Sequence, residues 1–158
     1  IYSKIIFLEY LYYIYIYITR IMLDLTLVSA VLINLLFFAA GVRKIGKFPV
    51  NVGGFMKRMP NFLPLWMGQL IIVAVIVLEV VAPLVIVYSF KTKKYTNQAY
   101  VATLSLLAFT VLATLLYHFP PTGSAYYPFM SNMATIGGLL CLAQHLAKRG
   151  LNLKSLLK

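Results

Sequence analysis

Glu79 is the residue around which chemistry would most readily turn. It is the sole formally charged side chain between positions 65 and 90, a stretch that is otherwise almost entirely apolar. A carboxyl in the middle of so long an apolar run is costly to bury, and it needs a cation, a hydrogen bond or a proton of its own. Such a group can relay a proton, form an ion pair or hold a ligand. Its simpler use is structural, as a neutral or paired carboxyl that fixes helix packing. Either way Glu79 is expected to face the interior. Pro83, four residues on, lacks the amide that would bond to the Glu79 carbonyl, so a kink is expected there.

His118 is the second candidate. It follows Tyr117 and precedes Pro120-Pro121, at the same end of its apolar run as Arg43 and Lys44 are of theirs. A ligand or a quinone headgroup could be held by this group, and Arg43, Lys44, Tyr117 and Asn132 are the companion ligand-binding candidates. The structural use of His118 is to cap the last carbonyls of its helix. His145 lies near the opposite end of the last apolar run, so the two histidines make neither a metal site nor a haem pair. Cys141 is the single cysteine, which excludes an internal disulfide and a cysteine metal cluster. Flanked by Leu140 and Leu142, it reads as a small packing residue.

Four apolar runs must position these groups. Residues 25–42, 100–119 and 128–147 contain no charge, and residues 65–90 contain only Glu79. A bilayer core is crossed by about 20 apolar residues, whereas a soluble helix of that length carries a charged face. The four runs therefore read as membrane helices. The segment Phe119-Pro120-Pro121-Thr122-Gly123 turns the third into the fourth. Thr103, Thr110, Thr114 and Tyr117 share a narrow face of the third and read as a packing seam, with Gly41 and Gly137-Gly138 as further close-approach points. Asn34 and Asn132 are polar contacts between helices.

The whole chain agrees. Of its 158 residues 62% are hydrophobic, and the mean hydropathy is +0.89. The net charge of +11 comes from 14 Lys and Arg against three acidic residues. The cations sit in the connections, as expected for loops at lipid headgroups, and no nucleic-acid partner is assigned. Residues 43–64 carry Arg43, Lys44, Lys47, Lys57 and Arg58 interleaved with Phe48, Phe55, Met56, Met59 and Phe62, with Trp66 just beyond. That pattern reads as a loop anchored at the headgroup boundary. The larger number of cations on the other side places both ends of the four-helix unit inside.

Residues 1–21 form an aromatic extension rich in Ile and Tyr. Three readings stand: a translated leader before Met22, a fifth and distorted span, or an interfacial or protein-packed helix, of which the last fits the scattered tyrosines best. Residues 22–147 form the bundle, and residues 148–158 a basic tail.

With these residues in place, the chain resembles the DoxX-like family of small integral membrane proteins. The resemblance rests on Phe38-Ala39-Ala40-Gly41-Val42-Arg43-Lys44-Ile45, on Glu79, on His118, and on Asn132 with Gly137-Gly138-Leu139-Leu140. It covers residues 25–147. Where the family tends to have glycines after Glu79, this chain has Val80-Val81-Ala82-Pro83. The resemblance implies an all-α fold, a four-transmembrane-helix bundle. Members of the family are associated with quinone-linked oxidation of sulfur compounds, oxidative-stress membrane complexes and membrane-protein assembly.

Two function classes follow. The favoured one is a structural or accessory subunit, packed in the bilayer against other integral membrane subunits of a larger assembly such as a respiratory complex or a membrane-containing particle. The sequence has no nucleotide motif, metal-ligand set or nucleophile with an evident base, so an enzyme acting alone is disfavoured. The alternative is a quinone-interacting component of a membrane oxidoreductase, with His118 and Arg43 at the headgroup, Glu79 moving a proton and the redox cofactor on a partner. A membrane-protein assembly factor or transporter is a third class. No cofactor is assigned, and quinone and lipid are the ligands considered. An organelle inner membrane and a membrane-containing particle both fit as locations.

Overall fold

A computed structural model describes the backbone of residues 2–60 and 62–150, and their side chains except those of 2–10, 19–24 and 150. Residues 151–158, the end of the expected basic tail, lie outside the described residues. The chain is all-helical, with no strand among the described residues. The helices are α1 (Tyr2–Gly46), α2 (Phe48–Met56), α3 (Leu65–Thr92), α4 (Thr96–His118) and α5 (Tyr126–Gly150), with one 3-10 turn at Gly123–Ala125.

Three of them are long and apolar enough to cross a membrane: the Leu25–Gly46 part of α1, α3 and α4. At 1.5 Å per residue, the 28 residues of α3 extend roughly 42 Å, well over a hydrocarbon core of about 30 Å. This marks a membrane protein. α5 has the length, at 25 residues, but Ser131, Asn132, Thr135, Gln144 and His145 make it less apolar.

Short connections make neighbours in sequence neighbours in space, so α1 packs mainly on α3, α3 on α4 and α4 on α5, while α1 and α5 touch to close the set. The bundle has two unlike halves. Toward the chain ends, Ala30, Phe37, Ala82, Ile86, Phe90, Ala99, Leu106, Leu139, Leu142 and Leu146 form one buried core. Here α5 approaches α1 closely, since a Cβ on Gly138 would lie 2.6 Å from Ile33 Cδ1. Gly137 faces open space instead, so only one glycine of the pair serves the close approach expected of both. Cys141 is also exposed. It sits off the line of Leu139, Leu142 and Leu146, and does not pack as its apolar flanks suggest.

The other half is covered by α2. The sequence reads residues 43–64 as a headgroup loop, yet Phe48–Met56 is helical and turns Val52 and Phe55 inward, against Ile72 of α3. Pro49 in the first turn suits a helix start, because the amide it lacks has no partner there. Phe62 and Trp66 are exposed, at 84% and 60%.

The 45 residues of α1 run without a break, so the backbone of the extension is continuous with the first apolar helix. The side chains from Leu11 to Ile18 are all exposed. α3 continues unbroken through Pro83, which is buried.

The turn from α3 to α4 holds two non-glycine residues in the left-handed region, Lys93 at φ 59° and Tyr95 at φ 58°. Lys93 ends α3 there, donating its amide to the Ser89 carbonyl at 2.8 Å. Glycine ordinarily fills such a cap because it has no Cβ to clash. Lys93→Gly is expected to stabilise the fold by up to about 1 kcal/mol, measured as a higher thermal midpoint in detergent. A lower midpoint would show that the lysine side chain holds the turn.

Candidate functional site

The site is built on the contact between α1 and α3. Gly41 makes that contact close: a Cβ there would lie 2.9 Å from Val80 Cγ2 and 3.0 Å from Glu79 Cβ. Lys44 follows one helical turn later on the same face. Its ammonium reaches back along α3 and donates to both carboxylate oxygens of Glu79, at 2.7 Å to Oε1 and 2.6 Å to Oε2. The Glu79 side chain is 3% exposed and that of Lys44 25%. This is the one side-chain ion pair among the described residues.

Glu79 thus faces the interior and has a cation beside it. Arg43, its neighbour's neighbour in the sequence reading, does not join. It lies about 100° around the helix from Lys44, exposed and outside the cavity described next.

The pair forms part of the wall of a cavity of about 770 Å³ enclosed by α1, α2, α3, α4 and α5. Its polar lining includes Lys44, Glu79, Asn51, Thr110, Tyr117, His118, Ser131, Asn132 and Thr135. The remainder is mostly aliphatic and aromatic, including Phe37, Phe55, Val75 and Phe109. Leu36, Ile71, Leu112 and Leu116 belong to this lining and are also exposed on the outer surface of the bundle, at 38–62% for the first two and 39–66% for the last two. Val50 of α2, also in the lining, is 72% exposed, so exposed apolar residues border the cavity both along the helices and at its α2 end.

Around the cavity the polar groups are tied down by different means. Thr110 and Thr114 donate to the Leu106 and Thr110 carbonyls at 2.7 and 2.6 Å. Asn132 Nδ2 donates to Thr114 Oγ1 at 2.9 Å, joining α5 to α4. Asn51 Nδ2 donates to the Lys47 carbonyl at 2.8 Å. The Arg58 guanidinium carbon stands 4.3 Å from the centre of the Tyr117 ring, a cation held on an aromatic face. His118 lines the cavity instead of lying only at a helix end.

Of the six candidates from the sequence, Glu79, Lys44, Tyr117, His118 and Asn132 come together here, and Arg43 does not. Asn51 and the covering helix α2 were missed. A signal for α2 existed, since Phe48, Val52 and Phe55 recur at helical spacing. His145 is at the other end of the bundle, stacked on Phe90 with centroids 5.5 Å apart. No group of three or more His, Cys, Asp or Glu that could hold a metal occurs among the described residues. Compared with known proteins, the chain matches no family model, no curated protein and no solved structure.

Chemically, the arrangement offers a neutral ion pair deep inside, hydroxyl and amide groups around it, and apolar walls. The pair is asymmetric in its response to loss. Without Lys44 the buried carboxyl is left with an uncompensated charge or must take up a proton, whereas Lys44 without Glu79 can extend its stem toward the helix end. Lys44→Met is therefore expected to cost about 3–5 kcal/mol, Glu79→Gln distinctly less, and the double variant Lys44→Met/Glu79→Leu less than Lys44→Met alone. Thermal midpoints in detergent measure all three. Equal losses in the two single variants would contradict this asymmetry.

Proposed function

We propose that this chain is a small four-span membrane protein of DoxX-like architecture that holds an amphiphilic molecule within its bundle and serves as an accessory subunit of a larger membrane assembly. The observation that carries the binding reading is the cavity of about 770 Å³, in which the few polar groups of the apolar helices converge among apolar walls. A volume of this size suits a drug-sized or lipid-sized ligand. Its polar groups fix a headgroup, and its walls take a chain.

The accessory role draws on α1. The exposed stretch from Leu11 to Ile18 carries Tyr12, Tyr13, Tyr15 and Tyr17 on several sides of the helix. Ring hydroxyls pointing in several directions suit contacts with headgroups and protein neighbours better than a single lipid-facing stripe. An organelle inner membrane and the membrane of a particle are both settings for such a subunit.

A second reading is favoured by one specific juxtaposition, that of Tyr117 and His118 with the Lys44–Glu79 pair on one cavity. In it the ligand is a quinone, Glu79 exchanges a proton, and a partner supplies the electrons. Identifying the ligand separates the two readings.

The fourth span is α5, despite its polar residues, because it runs along α4 and its Leu139, Leu142 and Leu146 complete the buried core. In a Cys141→Ser background, cysteines placed at Gly123 and Lys148 are expected to react from opposite faces of the membrane. Reaction from the same face would remove α5 from the set of spans.

The ligand itself is tested by filling its space. Ala113 lines the cavity, and Ala113→Trp would occupy it. Protein purified in mild detergent and analysed by native mass spectrometry is expected to retain a bound amphiphile, and Ala113→Trp to lose it while keeping the helical spectrum. A protein that carries no amphiphile, or a variant that retains it fully, would overturn the binding reading.

A further inference from the structure

The charge around the cavity is distributed unevenly, and this bears on which amphiphile enters. Lys44 is neutralised by Glu79 at 2.6 Å, so it adds no net charge to the interior. The segment over the cavity is different. Residues 43–64 contain no acidic residue, and Arg43, Lys47, Lys57 and Arg58 are all exposed with no carboxylate partner among the described residues. Four uncompensated cations thus surround the covered end.

One of them is held in place. Arg58 lies 4.3 Å from the centroid of the Tyr117 ring, and its Nη1 donates to the Gly54 carbonyl at 3.1 Å. Tyr117 and Gly54 both line the cavity. A guanidinium fixed by a ring on one side and a carbonyl on the other keeps its remaining N–H groups free, and a planar guanidinium matches an oxyanion in two-point geometry. Basic pockets at the ends of membrane helices attract anionic headgroups for the same reason.

We infer that the cavity selects an acyl lipid with an anionic headgroup, bound at the Arg58–Tyr117 rim with its chain among the apolar walls. The inference rests on the amphiphile reading given above and supplies its ligand class. The shared chemistry is an oxyanion on an acyl chain. The apolar walls, with Leu36, Ile71, Leu112 and Leu116 among them, take the chain, and the ion pair, already matched, does not compete for the headgroup.

The test compares phosphatidic acid with phosphatidylcholine carrying the same photoreactive acyl chains, in nanodiscs containing the full chain, with cross-links mapped by mass spectrometry. Phosphatidic acid is expected to label the cavity walls about fivefold more than phosphatidylcholine, and Arg58→Gln to bring the two together. Arg58→Lys, which keeps the charge but not the flat two-point donor, should fall between. Inorganic phosphate at millimolar concentration should leave the labelling intact; if it abolishes labelling, the site recognises the free oxyanion and the lipid assignment is wrong. Equal labelling by both lipids would overturn the charge selection while leaving an amphiphile cavity in place. No labelling of the walls by either lipid would defeat the amphiphile reading and this inference with it.

Discussion

The Lys44–Glu79 pair is the constraint from which the rest of the structure follows. A carboxylate in the centre of α3 requires a cation, and the nearest helix that can bring one is α1. Lys44 can reach it only if α1 lies against α3 at one register, with the helix backbones close enough for a four-carbon stem to span the gap. Gly41 permits that approach, because a Cβ would meet Glu79 Cβ at 3.0 Å. Glycine and lysine one turn apart thus act as a unit, one admitting the neighbour and the other neutralising it. A buried pair of this kind adds little net stability once desolvation is counted. It penalises the wrong register instead, since sliding α1 by one turn would strand a carboxylate.

That register divides the bundle. On the side away from α2, Phe37, Phe90 and the leucines of α5 fill the space between helices. On the other side several short residues interrupt the large ones that face inward, among them Ala40, Gly54, Thr110 and Ala113. The threonines bond to their own backbone carbonyls, which removes their need for partners on other helices. Small, self-satisfied residues opposite an ion pair leave room that no side chain fills. α2 closes the end of that room with Val52 and Phe55, and Gly68 of α3 admits Met56 at the joint.

Much of this was legible in the residues. Charge-free runs mark the long helices, and an acid inside one of them marks Glu79 as needing a partner. Which cation answers it was half legible: Ala30, Asn34, Phe37, Gly41 and Lys44 recur at helical spacing, so a face that buries Gly41 also presents Lys44 and turns Arg43 away. The contact with Glu79 spans 35 positions, and no local pattern gives that pairing. α2 was hidden by Gly53-Gly54, which read as a loop although Pro49 and the spacing of Phe48, Val52 and Phe55 suit a short helix. The unbroken course of α1 was equally hidden, because Arg20 and Asp24 look like a boundary but neither breaks a helix as Pro or Gly does. Cys141 fails for a simpler reason. Apolar flanks say nothing about which side of a helix a residue occupies, and the line of Leu139, Leu142 and Leu146 leaves Cys141 outside.

The order of polarity along the cavity gives it a direction. Exposed cations, His118 at the end of α4 and the Arg58–Tyr117 contact lie toward the covered end, with a neutral pair and aliphatic walls along the rest of the lining. A molecule with one polar end and one apolar end lowers its energy most in a single orientation along that gradient, head toward the cations near α2 and chain among the apolar walls. A uniformly apolar molecule would leave the cations and the rim hydroxyl to water, and a uniformly polar one would desolvate its groups against the aliphatic walls. The neutralised interior matters here as much as the charged rim. Had Lys44 been left unpaired, it would add a further cation to the cavity wall and compete with the rim for a headgroup. By matching Lys44 to Glu79, the fold leaves its uncompensated positive charge where a headgroup can remain hydrated and still touch the protein.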